Sequence, residues 1–176
     1  GSEMCIRDRL YTGDFVIGSS PSSGDMEDAM QFNGMIYVGS ENYLDRYSLS
    51  QSRWLSPIDM GDTVSQIVND GTNVMVGTMG SGIHIVDSFG NVIDTWDSSD
   101  GLQSDDVTGL DVEGDWVVAI HPEDGASVFN TSVAGTAVSL NEATTDLDSD
   151  SPTGVAIHNG VAYLSLIHIS EPTRQH

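Results

Sequence analysis

The sequence predicts an all-β chain assembled from one repeated four-stranded unit, and three observations predict it. Four strand–turn–strand segments recur at residues 30–39, 67–77, 110–119 and 155–163, each with its turn built on glycine. Asn-Gly and Asp-Gly are the strongest hairpin signals, because a type I′ turn needs positive φ at both central residues. The turn glycines Gly34, Gly71, Gly114 and Gly160 are 37, 43 and 46 residues apart, the length of a four-stranded propeller blade. No stretch holds a helical period between caps. The expected architecture is therefore a β-propeller fragment of about three four-stranded blades plus the first hairpin of a fourth.

The remaining strands follow in order. A third strand is expected at 44–48, 83–87 and 126–130, with Tyr47, Val86 and Phe129 in its fourth position and Ser48, Asp87 and Asn130 in its fifth. A fourth strand carries Trp54 in the first unit, spans 92–96 in the second and 136–140 in the third. Trp54 and Trp96 are expected at matching places, as packing residues between blades rather than as a ligand cage.

The 176 residues carry 27 Asp and Glu against 5 Lys and Arg, a formal net charge of −22. Phosphate binding rests on Lys and Arg, so nucleic acid and anionic membrane are excluded as partners. No apolar run approaches the ~20 residues that cross a bilayer, so no membrane insertion is expected. Hydrophobic content of 38% with 18% charged residues suits a folded chain.

The two ends read differently from the middle. Residues 1–9 and 164–174 can be encoded by opposite strands of one short stretch of DNA, and that element resembles a transposon-end sequencing adapter. Residues 1–9 and 164–176 are accordingly set aside as non-native, leaving 10–163 as a partial propeller domain of a longer, metagenomic gene. Setting them aside removes Cys5, the sole cysteine, and leaves 24 acidic residues against Arg46 and Arg53, with no lysine. Disulfide and redox-site readings go with Cys5. Leu164-Ser165-Leu166-Ile167-His168 is β-prone all the same and is expected to continue the last strand.

Asp100-Gly101-Leu102-Gln103-Ser104-Asp105-Asp106-Val107 resembles the opening of two-component-regulator propeller repeats, where a Gly-Leu-Pro-Ser-Asn loop precedes the innermost strand. The stretch 74–87, with Val76-Gly77-Thr78, Gly82-Ile83 and Val86-Asp87, is similar to that family's Ile-Gly-Thr, Gly-Leu and Tyr-Asp positions. The likeness is best over residues 63–130. Gln103 replaces the family's proline and the first unit lacks the Gly-Leu loop, so related repeat propellers of surface proteins stay open. The resemblance implies a sensing or binding propeller, extracytoplasmic or at the cell surface, and does not imply catalysis.

Candidate chemistry is sparse. Asp146, Asp148 and Asp150 alternate as the carboxylates of a calcium loop do, and Ca²⁺ is the candidate cofactor. No glycine follows at the sixth position and Ile157 stands where an EF-hand needs its bidentate glutamate, so the pattern is not an EF-hand; a solvated acidic loop is the commoner form of such a run. His84, His121 and His158 fall at non-equivalent places in three repeats, which suits structural or surface roles better than a shared metal. Gly77, Gly80 and Gly82 superficially form a phosphate loop, but one between two strands with no lysine, hence a tight turn. Asp105–Asp106 and Glu123–Asp124 are paired acids of the glycosidase kind, with nothing in their spacing to select one pair.

Two functions from different classes follow. The first is a non-enzymatic binding, sensory or cell-surface module, taking an unidentified protein or a small cationic or neutral ligand. The alternative is part of a propeller enzyme of lyase, glycosidase or quinoprotein type, its site completed by further blades. Loops on one propeller face are expected to gather Glu41, Asp59, Asp62, Asp97, Asp100, Asp105, Asp106, Glu123 and Asp124 with the Asp146–Asp150 run. That acidity has two readings, a cation-focusing face and adaptation to a saline habitat, where ~0.5 M salt shortens the Debye length to a few Å.

Overall fold

In the computed structural model the described residues are Ser22, 25–133, 137–141, Ala143 and 151–166. They form three antiparallel sheets and a final hairpin. The first blade runs β1 (Asp28–Phe32), β2 (Met35–Gly39), β3 (Tyr43–Ser48) and then β4 (Arg53–Trp54) and β5 (Ile58–Asp59), both of which pair with β3. The second is β6 (Val64–Asn69), β7 (Val74–Thr78), β8 (Ile83–Val86) and β9 (Val92–Trp96). The third is β10 (Gly109–Glu113), β11 (Trp116–His121), β12 (Gly125–Asn130) and β13 (Val138–Leu140). The hairpin β14 (Pro152–His158) and β15 (Val161–Leu166) follows. The chain is a β-propeller fragment in which each blade is a meander and β1, β6, β10 and β14 lie side by side as innermost strands.

The hairpins form where the turns predict. Asn33 and Gly34 have φ of 47° and 75°, and Asn159 and Gly160 have 51° and 71°, the pair of positive values that the hairpin turn requires. In the first blade the fourth strand is split. Pro57 has no N–H to donate to a ladder, so the chain leaves β3 after Leu55, whose N–H still reaches the Arg46 carbonyl, and rejoins it at Ile58. Leu164, Ser165 and Leu166 pair with Val155, Gly154 and Pro152, so β15 continues as its composition predicts.

The tryptophans do not occupy matching places. Trp54 pairs with Tyr47, whose counterpart Val86 pairs with Val92; Trp96 pairs with Ile83, whose counterpart Leu44 pairs with Ile58. Both fourth strands take four residues over this span, so Trp54 stands at the start of its strand, where the second blade has Val92, and Trp96 at the end of its own, where the first has Ile58. Trp54 accordingly meets the ring of Tyr47 edge-on within its own sheet, at 5.3 Å. Trp96 does pack between blades, stacked on Phe129 at 4.4 Å with 21° between the planes.

Burial concentrates between blades. Tyr37, Leu44 and Met60 of the first blade close on Val64, Ile67, Val74, Val76 and Val86 around the second. Met75, Ile83, Ile85 and Trp96 then close on Leu110, Val117, Ala119 and Phe129 of the third. Each fully buried aliphatic side chain contributes about 1.5–3 kcal/mol. The innermost strands are also stitched together by side chains: Asp28 accepts the Ile67 N–H at 2.7 Å, Gln66 the Leu110 N–H at 2.8 Å, and Asp111 the Ile157 N–H at 2.8 Å. Arg46 adds a strap from the first blade to the second, donating to the Phe89 carbonyl at 2.9 Å.

Candidate functional site

The loops that join β2 to β3, β7 to β8 and β11 to β12 meet those that join successive blades, and backbone hydrogen bonds knit them into one layer. Val64 donates to Ser40, Met79 to Thr63, Val107 to Thr78, Gly82 to Asp105 and Thr108 to Ile120. Glu41, Asp59, Asp62, Asp97, Asp100, Asp105, Asp106, Glu123 and Asp124 all lie in or at the edge of this layer, with no Lys or Arg in those loops. The opposite ends of the blades are fastened separately, Leu49 to Gly34 and Thr131 to Asp115, and carry Asp70, Asp87, Glu113 and Asp115. Asp62 and Asp106 both reach over Gly80, where a side chain would run into the Asp62 carboxylate.

Several of these carboxylates fix the loops that bear them. Asp59 accepts from the Gly61 N–H, and Asp62 from that of Thr63. The turn Ser98–Asp100 is closed by a reciprocal cap, Asp97 accepting from the Ser99 N–H and Asp100 from the Asp97 N–H. Asp105 accepts the Ser98 N–H at 2.6 Å and so ties the two ends of that segment. The hydroxyl and N–H of Ser99 hold the Asp97 carboxyl below its ordinary range. On the opposite face Asn91 does the same for Asp87, and the Gly160 and Asn159 N–H groups do so for Glu113. Asp97, Asp87 and Glu113 are thus displaced towards staying charged, the reverse of what a general acid needs.

The histidines do not converge. His84 lies on β8, its Nδ1 3.2 Å from Thr95 Oγ1, and burial pulls its pKa down against the opposing effect of the Met60 backbone. His158 stands exposed 3.8 Å from Glu113. His121 is fully buried under the loop layer, with Nδ1 2.8 Å from the Asp106 carbonyl oxygen and Nε2 2.8 Å from Ser127 Oγ. Asp106 in turn forms a bridge with Met79, next to Gly80. Gly77, Gly80 and Gly82 lie in and beside the β7–β8 turn, as a tight turn requires. Asp146, Asp148 and Asp150 lie outside the described residues. Among the described residues no group of three or more His, Cys, Asp and Glu side chains is arranged to hold a metal.

The network around His121 becomes visible only once the strands are paired. Strand register places His121 where the other blades have Ser40 and Thr78. All three are buried polar residues at the end of a second strand. Ser40 Oγ donates to the Tyr43 carbonyl and Thr78 Oγ1 to that of Gly82, each closing the turn that follows.

No family model and no curated protein matches the chain in sequence. Solved structures do match in fold. The computationally designed Ika4 protein superposes with a TM-score of 0.66 at 13% identity, over 83% of this chain and 88% of that one. The extracellular domain of a hybrid two-component system from B. thetaiotaomicron gives 0.68 at 14% identity, over 81% of this chain and 22% of that one. The Pan2 WD40 domain of Neurospora crassa gives 0.50 at 14% identity, over 74% and 41%. The chain thus spans about a fifth of the length of the two-component domain it matches. Among the described residues no helix is long and apolar enough to cross a membrane.

Proposed function

We propose that the chain is a non-catalytic binding or sensory module whose acidic loop layer takes a cationic ligand, either a divalent cation or a basic segment of a partner protein. The observation that carries this reading is the one-sided gathering of nine carboxylates on loops that are rigidly knit together and contain no basic residue. Such a surface focuses a negative potential and raises the local concentration of cations. An extracytoplasmic setting accords with the extracellular two-component domains among the structural neighbours. Calcium at Asp146, Asp148 and Asp150 belongs to the same proposal, as does saline adaptation as the origin of the surplus charge. No observation on the described residues favours the enzyme alternative.

The test titrates the chain with Ca²⁺ and, separately, with a lysine-rich peptide, in low and high salt, and follows backbone amide shifts. Shifts should centre on the loop layer, and the double variant Asp62→Asn, Asp106→Asn should weaken binding about 2–30-fold, because exposed ion pairs are worth ~0.2–1 kcal/mol each. Asp70→Asn with Asp115→Asn on the opposite face should leave affinity unchanged. Absence of both responses at millimolar ligand overturns the reading and leaves solvation in salt as the role of the acidity.

A further inference from the structure

The connection from β9 to β10 bears Asp97, Asp100, Asp105 and Asp106; its end is fastened to the third blade by the Thr108 N–H on the Ile120 carbonyl, and its Gln103–Asp106 turn by way of a buried imidazole. A carbonyl oxygen only accepts, so the 2.8 Å contact to Asp106 requires the proton on His121 Nδ1. In the neutral ring Nε2 is then an acceptor, and the Ser127 hydroxyl, also fully buried, donates to it at 2.8 Å. Ser127 Oγ accepts the Gln103 N–H at 2.9 Å. One neutral ring and one hydroxyl therefore hold Gln103 and Asp106, on either side of the Ser104–Asp105 turn.

A second proton on the ring changes this arrangement in two ways. It places a cation at a ring with no solvent exposure, and it reverses the contact with Ser127. The hydroxyl, then receiving from both Nε2 and Gln103, must turn its own proton elsewhere. Asp124 on the β11–β12 turn, and Asp106 and Asp105 on the connection, are the charged groups that face the ring among the described residues. Their attraction for a protonated ring is outweighed by burial, so the pKa lies below the ordinary histidine value.

We propose that His121 is an acid-sensitive pin: neutral, it fastens the β9–β10 connection to the third blade, and protonation loosens that connection together with the carboxylates it displays. The consequence for binding rests on the function proposed above; the loosening itself does not. The sign follows from linkage. An opened connection hydrates the ring and restores the ordinary pKa, so the open form binds the proton more tightly. The closed form is therefore favoured fully above about pH 6.5, and its advantage declines as pH falls towards the lowered closed-state value.

The test is residue-resolved hydrogen exchange on the full chain between pH 7 and 5, corrected for intrinsic exchange chemistry, with the His121 ring titrated by NMR in the same samples. Protection of the Gln103 and Val107 amides should fall by up to about tenfold per pH unit below about pH 6.5 and level off where the closed-state ring titrates, while the Val76 and Ile85 amides in the second blade hold. In His121→Gln, which cannot take up the proton, the loop amides should lose this acid response. A ring that titrates with no change at Gln103 and Val107 overturns the pin, whether or not the glutamine variant folds. So does a parallel fall of loop and strand amides, which would mean acid unfolding of the whole fragment. Failure of Ca²⁺ and the lysine-rich peptide to bind at pH 7 removes the proposed function but leaves this exchange result to stand or fall alone.

Discussion

Tyr37 and Tyr163 occupy the same place in their repeats, the middle of a second strand just after a glycine turn. Tyr37 is 2% exposed and Tyr163 is 56% exposed. Their counterparts Met75 and Val118 have no exposure. The hairpins themselves are alike: both are antiparallel, and both turn on Asn-Gly with positive φ. What differs is the following blade, which covers the first three positions, whereas nothing among the described residues covers Tyr163. A hairpin in this chain therefore forms from its own turn and register, while its stability comes from the neighbour that buries its face. That is nearest-neighbour behaviour, in which each interface adds its own contribution.

Substitutions at a covered position break this contrast most strongly. Phe129 is fully buried and stacked on Trp96 across the junction of the second and third blades. Phe129→Ala removes the stack and leaves a cavity, and should cost about 3–5 kcal/mol, read as a lowered denaturant midpoint. A cost below about 1 kcal/mol would show that the blades do not depend on this junction. A smaller effect is expected at Gly82, with φ of 73° and its α-carbon facing the Trp96 carbonyl so closely that a methyl would collide with it. Gly125 stands in the same position against Leu140 in the third blade. Gly82→Ala should destabilise by about 1–3 kcal/mol, more than Gly160→Ala, where a methyl meets open space. Equal costs at the two glycines would mean that backbone conformation alone sets the penalty.

The repeat was legible because hairpins are local objects. A glycine turn and the alternation around it identify β1–β2, β6–β7, β10–β11 and β14–β15 without reference to anything distant. Third strands followed from the same register. The tryptophans mislead because a shared residue type is not a shared position, and only pairing shows that Trp54 corresponds to Val92 and Trp96 to Ile58. The gathering of carboxylates at one end of the blades was legible from topology, since loops of one kind leave a meander on one side. His121 was not, because its partners Asp106, Ser127 and Gln103 come from two elements that meet only in the folded blade. A single histidine at the end of a strand reads alike whether it is buried under a loop or exposed like His158.

Tyr163→Ala gives the smallest expected effect and sharpens the comparison most. Ordinarily a large aromatic truncated in the middle of a strand costs several kcal/mol, and the covered Tyr37 should obey that expectation. Tyr163 is itself part of the lining of an open hollow, with Gly154, Val155, Ala156, Leu164 and Ser165. Little apolar surface leaves water when it folds, and what remains is a cross-strand pairing with Ala156 worth about 0.2–1 kcal/mol. The substitution should therefore change stability by less than about 1 kcal/mol in dilute solution. A loss approaching that of Tyr37→Ala would mean that the tyrosine is covered in solution, and that the face of β14–β15 is buried by contacts beyond those of the described residues. Repeating the melt over a range of protein concentrations separates the two origins of such cover, since burial by a second molecule raises the midpoint with concentration and burial within the chain does not.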